Sequence, residues 1–155
     1  MKQPVSIPNV NNLTDKEMAV IFKKDAGDYM TAAENLRVDE HSIWLVGPTN
    51  FLRSHAIELL LKAVLLANGQ TVEHCKKKLG HKLEEAMNES EAVGLTLTDQ
   101  TKSVIKTLSP LHEDYTFRYR PNKPYAFPNQ TASTDAVAEL FDSVHVIVKA
   151  KCLDM

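Results

Sequence analysis

The sequence predicts an all-α protein: one antiparallel bundle of about five helices, interrupted by an irregular loop or small hairpin at about residues 110–131. Three observations predict it. Apolar residues recur at helical spacing in successive segments. Capping residues and glycine stops bracket those segments. The second segment is apolar on most of its circumference, which suits a central helix surrounded by neighbours.

Residues 1–13 contain Pro4, Pro8 and several Asn without helical period, and read as an extended arm. The single domain follows, over residues 14–152. Its first helix starts at Thr14, where Thr14-Asp15-Lys16-Glu17 has the form of a capping box, and runs to about Arg37. A connector over 38–48 ends in Gly47-Pro48, with Trp44 packed under it. The second helix starts at Thr49 or Asn50 and runs to Asn68, with Gly69 as its left-handed stop. Residues 70–80 are polar and Lys-rich. The third helix spans His81 to Val93 and stops at Gly94; the fourth is capped by Thr98 and ends near Ser109, before Pro110. Pro121, Pro124 and Pro128 exclude a helix from the excursion that follows. Ser133 or Thr134 caps the last helix, whose stripe is Val137, Leu140, Phe141, Val144, Ile147 and Val148.

The totals narrow the function. A chain of 155 residues can bury roughly two-thirds of its unfolded surface. A formal net charge of −2 argues against a general nucleic-acid binder, which is usually strongly basic, but leaves room for a local basic patch. Cys75 and Cys152 are too few for a disulfide framework and read as reduced thiols, hence a cytoplasmic protein. Met1 to Asn12 lacks the apolar run of a secretory leader, and the apolar stretch around 59–67 is broken by Lys62, so no membrane span is expected.

Two groups of residues could carry chemistry. Arg53, His55, Glu58 and Lys62 interrupt the apolar second helix. Glu58 and Lys62 are four apart and share a face, either as a plain ion pair at the core edge or as the polar floor of a cleft. His112 to Arg120 packs one imidazole, two carboxylates, two phenols and two guanidinium groups into nine residues. Arg118 and Arg120 suit phosphate, Tyr115 and Tyr119 suit base stacking, and His112 could move a proton. Equally, such a loop can simply cover the end of a bundle. His74, Cys75 and His81 offer zinc-type ligands at a spacing that matches no zinc motif, so no metal or other cofactor is expected. His81 reads instead as a cap or orienting group at the start of the third helix.

The segment Ser54-His55-Ala56-Ile57-Glu58-Leu59-Leu60-Leu61-Lys62-Ala63-Val64-Leu65-Leu66, a short polar connector, and Gly80-His81-Lys82-Leu83 together resemble the HEPN domain. That family pairs an E-x-x-x-K-A helix with a G-H-x-L start to the next. Phe117-Arg118-Tyr119-Arg120-Pro121 also resembles a segment of some bacterial members. The resemblance implies a helical bundle, often dimeric, in a family containing metal-independent ribonucleases and nucleotide-binding members. The ribonucleases carry Arg, four to six residues, then His. Here Arg37 to His41 leaves three, Arg53 to His55 leaves one, and His112 precedes Arg118. The expectation is therefore a non-catalytic or degenerate HEPN-like homodimer that binds a nucleotide, RNA or a protein partner. Its cleft would be lined by Arg53, Glu58, Lys62, His81, His112, Tyr115, Arg118 and Arg120. The alternatives are a metal-independent ribonuclease using His112 with Arg118 or Arg120, and a structural or regulatory oligomeric subunit.

Overall fold

The computed structural model describes residues 3–6, 12–36 and 43–153, excepting the side chains at 43 and 44. Arg37, His41, most of the N-terminal arm, the first part of the 38–48 connector and the packing of Trp44 lie outside the described residues. Among those described, every regular element is helical: α1 (Asp15–Asn35), α2 (Ile43–Ala67), α3 (Val72–His74), α4 (Leu83–Ala92), α5 (Asp99–Glu113) and α6 (Gln130–Val148). Wide π-type turns follow α3 (Cys75–Leu79) and α6 (Lys149–Leu153). No described helix is long and apolar enough to cross a membrane.

α1 begins on the expected capping box. The Glu17 N–H donates to Thr14 Oγ1 at 3.2 Å, and the Thr14 N–H donates to the Glu17 carboxylate at 2.7 Å. Ala19, Ala26 and Ala33, seven apart, are its buried residues. Small side chains on one face allow close approach to α2, against which α1 runs. α2 is the central element: Ile57, Leu60, Leu61 and residues 63–67 are almost wholly enclosed. It touches α1, α4, α5 and α6. This packing is what an apolar surface on most sides requires.

Three boundaries differ from the sequence reading by more than two residues. Gly47-Pro48 belongs to α2 rather than to a connector, and α5 continues past Pro110 to Glu113. Both prolines sit on exposed faces, where a carbonyl deprived of its donor can meet water. α6 starts a turn early, because Asn129 is the cap: its side-chain oxygen accepts from the Thr131 and Ala132 N–H groups at 2.9 and 3.2 Å. The excursion contains no strand. After the turns at 114–118 it runs irregularly to Asn129. The region read as a polar connector holds α3 and its π turn.

Candidate functional site

The buried centre of the site is Glu58, 5% exposed on α2. Its Oε1 accepts from Lys62 Nζ at 2.7 Å, one helical turn on. Its Oε2 lies 2.9 Å from His81 Nδ1 and 2.6 Å from His112 Nε2. Lys62 also donates to the Gly80 carbonyl at 2.7 Å. Gly80 presents that carbonyl from φ 51, ψ −119, a backbone region open essentially to glycine alone. Glu58, Lys62, Gly80 and His81 thus tie α2 to the chain entering α4, and the buried Leu83 anchors the helix behind them. His81 caps no helix; it binds Glu58.

Burial pushes the Glu58 carboxyl up, but hydrogen bonds from His112, His81 and Lys62, with the Lys62 charge, outweigh it and hold the group well below the usual carboxylate range. Next to it, burial holds the His55 imidazole below its ordinary value of 6.5, opposed by the Glu58 charge and aided by His112, His81 and Lys62. Both shifts favour the deprotonated form in the folded state. Each contribution is therefore present above the group's ordinary pKa and is lost as the pH falls below it. Stability is expected to decline in two stages, from about pH 6.5 and again from about pH 4.5, those being the ordinary values of the two groups. Urea midpoints measured against pH check this, and His55→Gln should remove the upper stage.

Around this cluster runs a set of ring contacts. His81 meets His112 and Tyr115 edge-on, with centroids 5.4 and 5.6 Å apart. The Arg118 guanidinium lies over Tyr115 and Phe51, at 5.3 and 4.9 Å. Phe51 stacks on His55 at 6.1 Å, and His55 meets Tyr29 at 4.5 Å. Tyr115 is held at φ 57, the sole non-glycine with positive φ among the described residues. It occupies the left-handed position of a Schellman turn closing α5, where Thr116 N–H reaches the Leu111 carbonyl at 2.9 Å. That position normally takes glycine, and a β-carbon there costs roughly 1–2 kcal/mol. Tyr115→Gly is accordingly expected to be more stable than Tyr115→Ala by about 1 kcal/mol, a difference that denaturant midpoints can read. The wild-type chain accepts the strain and keeps an exposed phenol between His81 and Arg118.

Beyond Arg118 opens a cleft of about 1160 Å³. One wall is the excursion, with Arg118, Arg120, Lys123, Tyr125 and Phe127. The other is formed by the start of α2 at Val46–Pro48 and the start of α6 at Asn129–Thr131. Three cations, two exposed aromatic rings and the positive end of a 19-residue helix face one space.

The sequence-derived candidates therefore divide. Glu58, Lys62, His81 and His112 form one cluster, and Tyr115 and Arg118 border it. Arg120 lies out in the cleft. Arg53 turns away to α6, where it donates to Thr134 Oγ1 at 2.8 Å and to Gln130 Oε1. His112 is 4% exposed, whereas the His81 side chain is 36% exposed. Lys123, Tyr125, Phe127 and Gln130 line the cleft without being in the expected lining, and no motif marks them.

His55, Glu58 and His112 place one ligand-type atom each within 4.8 Å of one another, so they are the described residues nearest to a metal-binding set. Of the three, Glu58 and His112 are hydrogen-bonded to each other, while His55 Nδ1 has no hydrogen-bond partner among the described residues. Ligands of a tetrahedral zinc stand roughly 3.3 Å apart, given bonds of about 2.0 Å, and the Lys62 ammonium on Glu58 would repel a dication. His74 pairs instead with Glu89 at 2.8 Å, and His74, Cys75 and His81 form no ligand group among the described residues. No family model, curated protein or solved structure matches the chain.

Proposed function

We propose that the chain is a HEPN-like module that binds a phosphate-bearing aromatic ligand, a nucleotide or RNA segment, without cleaving it. The carrying observation is the cleft in which Arg118, Arg120 and Lys123 stand beside Tyr125 and Phe127 at the N-terminus of α6. Guanidinium groups fit phosphate oxygens through paired donors, aromatic faces accept stacked bases, and a helix N-terminus favours an anion. Arg118 is pre-positioned by Phe51 and Tyr115, so little side-chain freedom is lost when it meets a ligand. The Glu58–Lys62–Gly80–His81 tie gives the residues of the HEPN resemblance a shared architectural role behind this surface. The reading includes a homodimer and a cytoplasmic setting; the free thiols of Cys75 and Cys152 are compatible with a reducing compartment. Mass in solution tests the dimer.

Labelled single-stranded RNA and tRNA, incubated with the protein in chelator, test the main claim. Binding without cleavage is the expected result. Absence of binding to RNA and to nucleotides would reject the proposal and favour a protein partner.

A second reading, a metal-independent ribonuclease, has one specific observation in its favour. His81 is anchored to a buried carboxylate through Nδ1, and its side chain, 36% exposed, is far more open than that of His112 on the same carboxylate. In that reading His81 rather than the enclosed His112 takes the proton of a ribose 2′-hydroxyl. The 2′-oxygen bonds to the adjacent phosphorus, the phosphorus–O5′ bond breaks, and the 5′-oxygen takes a proton from water. Arg118 offsets the phosphorane charge. Cleavage that His81→Ala abolishes would replace the first reading with this one.

A further inference from the structure

The cleft wall that carries Arg120, Lys123, Tyr125 and Phe127 is hydrogen-bonded to the body only beyond its two ends. On one side the turns after α5 are fixed, where the Arg118 and Tyr119 N–H groups donate to the Tyr115 carbonyl at 3.0 and 2.9 Å. On the other side Asn129 is fixed as the cap of α6, its carbonyl accepting from the Ser133 N–H at 2.9 Å. Between these anchors, residues 120–128 make no hydrogen bond and no ion pair with any described residue. Residues 122–127 are all exposed. The ring contacts of this stretch are two: Tyr125 meets Phe117 edge-on at 6.2 Å, and Phe127 lies tilted to Tyr125 at 6.2 Å. Phe117 in turn packs against the core.

A segment with few buried contacts and its backbone left to solvent belongs to the low-stability end of a fold, from which lids over binding sites come. This one is also stiff. Pro121, Pro124 and Pro128 fix φ and carry no N–H, so the segment has fewer conformations than an ordinary loop of its length. Its side chains supply what the facing wall lacks. Val46–Pro48 and Asn129–Thr131 include no cation and no aromatic ring, whereas residues 120–128 bring two of each. At about 1160 Å³ the cleft is also wider than the roughly 300–1000 Å³ of a typical ligand pocket. A ligand resting on Arg118 therefore leaves space that this wall can take up.

We infer that residues 120–128 are a strap that closes on the bound ligand, pivoting at the turns of 115–119 and at Asn129, and brings Arg120 and Lys123 against its phosphates. The inference rests on the reading of the cleft given above and adds a conformational step to it. Arg118, stacked on Phe51 and Tyr115, makes the first contact, and the strap follows. Closure exchanges the Phe117–Tyr125 contact and the hydration of two unpaired cations for contacts with the ligand. The prolines keep its entropic cost low, because a stiff segment has little freedom to lose. A ligand held in this way leaves only after the strap reopens, so the strap governs dissociation more than encounter.

The test uses the full chain and a fluorescein-labelled single-stranded RNA hexamer, at about 0.15 M salt so that long-range steering is screened. Amide exchange with solvent, read by nuclear magnetic resonance, is expected to be fast at Asn122, Lys123, Tyr125, Ala126 and Phe127 in the free protein. Saturating RNA should slow it at least tenfold. Stopped-flow anisotropy gives the second readout. The Pro121→Gly, Pro124→Gly double variant keeps every cation but loosens the strap. It should speed dissociation about fivefold, leave the association rate within about twofold, and leave the melting temperature unchanged. A static wall that merely touches RNA would gain exchange protection too, but its dissociation rate would not respond to the proline changes. RNA that binds without slowing these amides, or leaves the double variant at the wild-type rate, would overturn the strap while leaving the cleft as the binding site. Failure of the RNA to bind at all would remove the reading of the cleft and this inference with it.

Discussion

Glu58→Ala is expected to destabilise the protein by about 3–5 kcal/mol, the loss typical of breaking a buried ion pair from one side. The carboxylate is the common partner of three donors: the Lys62 ammonium, His81 and His112. Without it, Lys62, 7% exposed, keeps only the Gly80 carbonyl and carries an uncompensated buried charge. For a chain of this length, that loss lowers the melting temperature by roughly 10 °C or more. Glu58→Gln keeps the shape and one acceptor but removes the charge, and should fall between wild type and Glu58→Ala. The double variant Glu58→Leu with Lys62→Met is the control, since replacing both partners by apolar groups removes the unpaired charge. It should recover a large part of the loss. Thermal melts of the four proteins read the series. A Glu58→Ala variant as stable as wild type would show that the cluster contributes nothing to folding.

The second large effect concerns ligand binding. Arg118→Ala and Arg120→Ala are each expected to weaken binding of single-stranded RNA at least tenfold, because charge-assisted hydrogen bonds contribute about 1.5–3 kcal/mol. Together they should flatten the dependence of log affinity on log salt by about 1.4, at roughly 0.7 for each phosphate contact on a single strand. Arg118 should matter more than Arg120, since its guanidinium is already stacked between Phe51 and Tyr115. Anisotropy titrations at several salt concentrations separate the two contributions. The melting temperature should change little, because both side chains are exposed.

Much of the bundle was legible because it rests on local rules. The Thr14–Glu17 capping box needs only four residues, and the enclosure of α2 follows from its lack of a polar face. The boundaries that differed are those where several rules competed. Asn129, Ser133 and Thr134 are all capping types, and Pro128 before Asn129 gave no periodic signal to choose among them. Gly47-Pro48 and Pro110 are helix breakers by local rule, yet each sits on an exposed helical face where the missing donor is tolerated.

The site was legible where it is local and hidden where it is tertiary. Glu58 and Lys62 share a face by their spacing. Arg53, on the same helix, is five residues from Glu58, a rotation of about 140° away, and it serves α6 instead. The meeting of His81 and His112 on one carboxylate oxygen joins residues 31 positions apart through packing that no spacing encodes.

The most direct test of the central claim is to map backbone amide shifts of the labelled protein by nuclear magnetic resonance while a nucleoside monophosphate is added. The predicted result is a contiguous set of perturbations at residues 46–50, 116–127 and 129–134, saturating with ligand and absent in the Arg118→Ala, Arg120→Ala double variant. Perturbations confined to other surfaces, or none at millimolar nucleotide, would contradict the assignment of the cleft as the binding site.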